Sequence, residues 1–197
     1  MGFADLILST TSPSLQFGIH HTKRFFLKPI ELSDVGSHYL NWLKSPQDNK
    51  FIYSVNTSIT IQILKEYVRC RLARKDILFL GIFEKNSGLH IGNIKYEPIN
   101  FSENYAIMGI LIGNKSWRGR GVAVEVLLAT AKWLKENIGT KEILLGVNRE
   151  NLSAISAYKK IGFISGVSVL TPQLNGSDIS MTWKLETANL NDGHNGD

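Results

Sequence analysis

Residues 109–163 read GILIGNKSWRGRGVAVEVLLATAKWLKENIGTKEILLGVNRENLSAISAYKKIGF. The hydrophobic period changes several times within this stretch. Gly109 to Gly113 is the apolar end of a strand, and Lys115 to Ala123 is a basic glycine loop. Val122 to Ile138 then places Ala123, Leu127, Ala131, Leu134 and Ile138 on one stripe, with Glu125, Lys132, Lys135 and Glu136 facing out. Gly139 sits where a C-terminal cap belongs. Glu142 to Val147 is the next strand. Asn151 is placed to cap a helix that carries Ile155, Tyr158 and Ile161 and ends at Gly162.

Working outward, Arg24 to Lys28 reads as the first strand. Ser33-Asp34 reads as a helix start, with Val35, Tyr39 and Leu43 at helical spacing and Ser45-Pro46 as the stop. Thr60 opens a second helix with Ile61, Leu64, Val68 and Leu72 on one face. Ile77 to Phe83 is a continuous apolar run, as expected for a strand buried on both faces. Ile91 to Tyr96 and Tyr105 to Ile112 continue it as an antiparallel meander. Phe163 to Leu170 and Asp178 to Leu185 close the chain as a hairpin. Ile179, Met181, Trp183 and Leu185 share one face of the last strand. The order is a mixed α/β sheet with helices on its faces. Residues 1–22 read as a loosely ordered leader, 23–186 as one domain and 187–197 as a frayed tail.

Composition limits the function classes. The 197 residues are 43% apolar and 20% charged, a globular balance. Twenty-two Lys and Arg against 17 Asp and Glu give a net charge of +5. That mild field suits an anionic ligand, and the basic residues are too scattered for a nucleic-acid motif. The single cysteine, Cys70, excludes a disulfide framework, and its place among charges on a helix does not suit a nucleophile. His20, His21, His90 and His194 show no metal-ligand spacing and read as surface residues. No apolar run is long enough for a membrane helix.

The loop is where chemistry is expected. Its glycines permit a tight turn, and consecutive N–H groups then face one concavity at a helix N-terminus. The helix dipole adds partial positive charge, and Arg118 and Arg120 add full charges. A pyrophosphate is the natural guest. No GK[ST] follows the glycines, so the loop is not a Walker A motif. It lacks the third glycine and the βαβ setting of a dinucleotide fingerprint. Taken by itself, it reads equally well as a solvated basic turn.

The stretch Val147 to Phe163 resembles the closing pattern of the GNAT superfamily of N-acetyltransferases, roughly V-N-x-x-N-x-x-S-I-x-A-Y-x-K-x-G-F. The W-R-G-R-G-V-A loop, Trp117 to Ala123, is similar to that family's acetyl-CoA pyrophosphate loop. It is most similar to the branch containing ribosomal-protein N-terminal acetyltransferases. Other segments, such as His90 to Lys95 and Pro98 to Asn100, look like members that acetylate nucleotide-linked amino sugars for surface polysaccharides.

The resemblance implies a mostly antiparallel central sheet flanked by helices, with a splayed parallel strand pair at the cofactor site. It implies acetyl-CoA as cosubstrate and no metal. Backbone groups of Ile110, Leu111 and Ile112 would pair with the pantetheine arm. Amides of Arg118, Gly119, Arg120, Gly121, Val122 and Ala123 would hold the pyrophosphate. Asn151 would contact the pantetheine, with a simple helix cap as the competing role. Tyr158 would protonate the departing thiolate, the alternative being a core aromatic. A strand N–H, that of Ile110 or Leu111, would stabilise the developing oxyanion.

The pattern departs at Ile107, where many relatives carry an acidic residue. Glu97 is then the substitute general base, with His38 behind it. Phe51, Tyr53 and Asn93 are candidates for the acceptor pocket. The expected acceptor is a small-molecule primary amine, best a nucleotide-linked amino sugar. A protein N-terminal α-amine is the alternative, and a non-catalytic acyl-CoA sensor is an alternative of another class. A cytoplasmic monomer or homodimer is expected, without nucleic-acid or membrane partners.

Overall fold

The computed structural model describes residues 15–44, 58–166, 178–188 and 190. Among these, the strands are β1 (His20–His21), β2 (Phe25–Pro29), β3 (Leu78–Glu84), β4 (His90–Asn100), β5 (Tyr105–Ile112), β6 (Glu142–Asn148), β7 (Ile164–Ser165) and β8 (Asp178–Lys184). The helices are α1 (Ser37–Lys44), α2 (Ile61–Leu72), α3 (Val122–Ile138) and α4 (Leu152–Lys160). The strands form one sheet in the order β1-β2-β3-β4-β5-β6-β8-β7. Every neighbouring pair is antiparallel except β5 and β6. Among the described residues no helix is long and apolar enough to cross a membrane.

Alternation along β3 explains why the sheet is covered on both sides. Leu78, Leu80 and Ile82 enter one core with α3 and α4, while Ile77 and Phe79 enter a second core with α1 and α2. All six residues Leu78 to Phe83 are buried, as the unbroken apolar run predicts. On α3 the buried stripe is Val122, Val126, Leu127, Thr130, Ala131 and Leu134, with Ala129 beside it. It is rotated from the stripe read in the sequence, since Ala123 and Ile138 are only half-buried. Each buried Leu or Val contributes about 1.5–3 kcal/mol over its exposed form. Thr130 Oγ1 meets Tyr96 Oη at 2.7 Å, which satisfies the one polar residue in that stripe.

Local signals hold in most places. Thr60 Oγ1 accepts from the Ile63 N–H and caps α2, and Gly139 ends α3 in the left-handed conformation. Ser33-Asp34 does not start α1, which begins at Ser37. The Asp34 carboxylate is used in the preceding turn, where it accepts from the Glu31 N–H and from Lys28 Nζ. Leu72 does not share the buried face of α2 and is 43% exposed. Residues 15–22, within the stretch read as a leader, pack on the domain. Phe17 is buried against Trp133, and β1 pairs with β2. Glu125 does not face solvent. It accepts from Thr22 Oγ1, from the Arg24 N–H and from Arg24 Nε, tying this segment to the first turn of α3. Of the closing hairpin, Ile164–Ser165 pairs antiparallel with β8, which lies between β6 and β7, and residues 167–177 lie outside the described residues.

Gly162 shows why the end of α4 is fixed in sequence. Its φ is +110°, and a Cβ there would lie 2.9 Å from Trp183 Nε1, a buried ring. We expect Gly162→Ala to lower stability by about 1–3 kcal/mol, from backbone strain and overpacking together. Chemical denaturation measures this, and an unchanged midpoint would remove the explanation.

Candidate active site

The site begins where two strands part. β5 and β6 pair in parallel at Tyr105↔Glu142, Ala106↔Ile143 and Ile107↔Leu144, and no further. Beyond Ile107 each strand keeps its outer partner, β5 on β4 and β6 on β8. The backbone edges that face each other across the gap are therefore left without their sheet partner. Buried backbone groups need partners, so an extended ligand carrying amides can complete this gap like a strand.

A cavity of about 540 Å³ occupies this splay. Met108 to Leu111 line it from β5, and Leu145 to Asn148 from β6. Asn151 and Tyr158 reach it from the α4 side, and Leu43, Leu64 and Tyr67 from the α1/α2 side. The cavity is thus lined from both sides of the splay. Ile112 is not part of the lining. It pairs with Gly92, and its carbonyl accepts from Arg118 Nε at 2.8 Å.

The basic loop lies beyond β5. The Asn114 side chain accepts from the Ser116 N–H and starts a short 3₁₀ turn, Lys115–Trp117. Arg118 folds back onto the end of β5, and its own N–H donates to the Lys115 carbonyl. Arg120 Nη1 donates to the Ser116 carbonyl, and its guanidinium lies 5.3 Å from the Trp117 ring centre. The two arginines thus brace the loop. Among the described residues the N–H groups of Gly119 to Ala123 find no protein acceptor. Gly119 and Gly121 have φ of +70° and +73°, and Gly121 begins the 17-residue α3 without a side-chain cap. An uncapped N-terminus on a helix of this length has free N–H groups and a dipole that can accommodate an anion. Arg24 Nη1 holds it from outside by donating to the Arg120 carbonyl at 2.8 Å.

On the other side of the splay, Asn151 Oδ1 accepts from the Ala154 N–H at 3.2 Å. It therefore caps α4 while still lining the cavity. Tyr158 is 8% exposed, and burial pushes its phenol up to about 12. The hydroxyl is therefore protonated throughout the neutral range.

The acceptor face holds a charged cluster. Lys95, which lines the cavity, donates from Nζ to Tyr67 Oη at 2.9 Å and to Glu97. Glu97 also accepts from Arg71 Nε at 3.1 Å and Arg74 Nη1 at 3.0 Å. Partial burial pushes its carboxyl up, but the Lys95 hydrogen bond and the charges of Lys95 and Arg71 outweigh it and hold the group below the usual range. A carboxylate held by three cations is a weak base, and Glu97 is not among the lining residues. His38 lies on the exposed side of α1 and does not line the cavity either. Asn93 does. Phe51 and Tyr53 lie outside the described residues. Cys70 is exposed on α2, and its thiol, raised by donating to Glu66, is not a reactive thiolate.

His90 is a correction to the sequence reading. It is only 7% exposed, not a surface residue. It lies beside Asn93, although residues three apart in a regular strand face opposite ways. A bulge resolves this: Gly92 pairs with Ile82, but His90, not Ile91, pairs with Phe83. Ile91 and Ile94 consequently share the α3 core, and His90 and Asn93 share the other face. The H-I-G-N spacing alone carries no sign of this.

The acetyltransferase (GNAT) domain profile matches residues 24–164. The chain belongs to the GNAT family of N-acetyltransferases. Among curated proteins, an uncharacterized N-acetyltransferase, YobR of Bacillus subtilis, is 29% identical over 85 residues. That match covers 43% of this chain and 32% of the relative's length. Among solved structures, a ribosomal L7/L12 alpha-N-protein acetyltransferase, RimL, in complex with coenzyme A, aligns with a TM-score of 0.72 and 15% identity. It covers 85% of this chain and 98% of that one. The spermidine N-acetyltransferase of Vibrio cholerae, in complex with CoA and spermine, aligns with a TM-score of 0.70 and 18% identity, covering 83% and 96%.

Within this GNAT domain the cavity is predominantly apolar. Lys95 is its one charged lining residue, and no carboxylate lines it among the described residues. An amine entering it meets little to stabilise the ammonium form.

Proposed function

We propose that this GNAT domain transfers an acetyl group from acetyl-CoA to a primary amine on a phosphate-bearing small molecule, a nucleotide-linked amino sugar. The observation that carries the transferase reading is the cavity at the strand splay, with Tyr158 in its wall, in a domain whose α3 begins uncapped. The residues present fit acetyl-CoA. The amides of Gly119 to Ala123 would hold its pyrophosphate, and the edge of Gly109 to Leu111 that β6 leaves open would align its pantetheine amides. The cosubstrate supplies the acetyl thioester when bound.

The protein's own groups then have separate tasks. The apolar cavity disfavours the ammonium form, so the acceptor needs no strong base to become a nucleophile. A β5 amide, that of Ile110 or Leu111, faces the charge that develops on the carbonyl oxygen. Tyr158 Oη would give its proton to the leaving sulfur as the C–S bond breaks, and the proton shed by the nitrogen as the amide forms restores the phenol by way of solvent. The apolar surroundings that raise the phenol would also raise the proton affinity of that sulfur, keeping the two matched.

Charge supports this acceptor class. Lys95, Arg71 and Arg74 meet two carboxylates, Glu97 and Asp76, leaving the cluster beside Tyr67 net positive. Among the described residues a polycation meets no counter-charge in the cavity wall, whereas a diphosphate suits a net positive rim. Thiol release from acetyl-CoA, measured with nucleotide-linked amino sugars, peptides bearing a free α-amine and spermidine, tests the assignment. Fastest release is expected with the sugar. Faster release with a peptide or spermidine overturns the acceptor. Coenzyme A binding without thiol release from any amine makes the domain a sensor.

A further inference from the structure

His38, His90 and Asn93 form a chain from the surface to the cavity. His38 Nε2 and His90 Nδ1 lie 3.0 Å apart, and His90 Nε2 and Asn93 Oδ1 2.9 Å apart. His38 is exposed, whereas His90 and Asn93 are 7% and 4% exposed. Asn93 lines the cavity, and its Nδ2 is buried without a hydrogen-bond partner. A buried donor left without a partner is destabilising. The Asn93 amide is thus held at one end and unmet at the other, in a residue that lines the cavity.

We propose that Asn93, held by His90 and His38, is the residue that selects the acceptor, by hydrogen-bonding an oxygen function next to its amine. This rests on the transferase reading. Burial keeps the His90 imidazole below its usual range, and hence neutral, so the pair shares one N–H between its facing nitrogens. With His90 Nε2–H donating to Oδ1, Asn93 offers N–H donors to the ligand. With the amide turned over, it offers a carbonyl acceptor. A hydroxyl satisfies either arrangement, because it both donates and accepts. A methylene satisfies neither. The chain therefore favours a vicinal hydroxy-amine over a plain alkylamine. Trp42, which packs against both imidazoles, fixes their planes.

A matched pair of acceptors tests this: a nucleotide-linked amino sugar with a hydroxyl beside the amine, and the same compound deoxygenated at that carbon. Wild-type protein should prefer the hydroxylated acceptor by at least tenfold in kcat/KM, since a site built for a hydroxyl rejects its absence strongly. Asn93→Leu should shrink that ratio to within about threefold while leaving the KM for acetyl-CoA within about twofold. His38→Phe, at an exposed position that does not line the cavity, should narrow the ratio in the same direction but less. Transfer by wild type without discrimination, or equal losses on both acceptors in Asn93→Leu, overturns the inference alone. No transfer to either acceptor, with coenzyme A still bound, overturns it together with the transferase reading.

Discussion

Gly121→Asp should abolish coenzyme A binding while leaving the protein folded. Gly121 has φ +73° and begins α3 with no side-chain cap. A Cβ there would meet only Arg24 Nη2, at 3.7 Å, so the substitution fits the space. The left-handed backbone costs an Asp about 1–2 kcal/mol. A carboxylate near the helix N-terminus offsets part of that. Stability therefore changes little. Binding changes greatly, because the carboxylate would lie against the amides that the phosphates need. Two unit charges about 4 Å apart repel by about 4 kcal/mol at an effective dielectric near 20, roughly a thousandfold in affinity. Calorimetric titration with coenzyme A, beside a thermal melt, reads both effects. Unchanged affinity in the folded variant would place the phosphates elsewhere. Gly121→Ala carries the strain without the charge and should keep most of the affinity.

Tyr158→Phe should lower kcat at least tenfold with little change in the KM for acetyl-CoA. Phenylalanine keeps the ring, and with it the contact to Phe163 at 5.6 Å between centres. The loss is one hydroxyl in a buried place, so the expected effect is on proton delivery and not on packing. Because burial holds the phenol near 12, its ionisation does not shape the rate between pH 6 and 9. Any descending limb in that range belongs to another group, and Tyr158→Phe should leave its position unmoved. An unchanged kcat would return Tyr158 to the role of a core aromatic.

The sequence by itself determined the elements whose causes are local. The extent of α3, the glycines at 119, 121 and 139, and the Thr60 and Asn151 caps depend on a few neighbouring residues, and each stands where its chemistry placed it. Two separated motifs in the right order sufficed for the family. Only the tertiary structure decided which backbone amides are free, since Arg118 spends its N–H on Lys115 and its guanidinium on β5. It alone decided that Glu97 is held by three cations, Arg71 on α2, Arg74 just past its end and Lys95 on β4. It alone placed the opening between β5 and β6, and the bulge that turns His90 toward Asn93. The physical reason is range. Helix period, caps and turns are written within a few residues, whereas strand register, splay and ion pairing join residues far apart, and a single-residue shift in register reverses which side of the sheet a side chain meets.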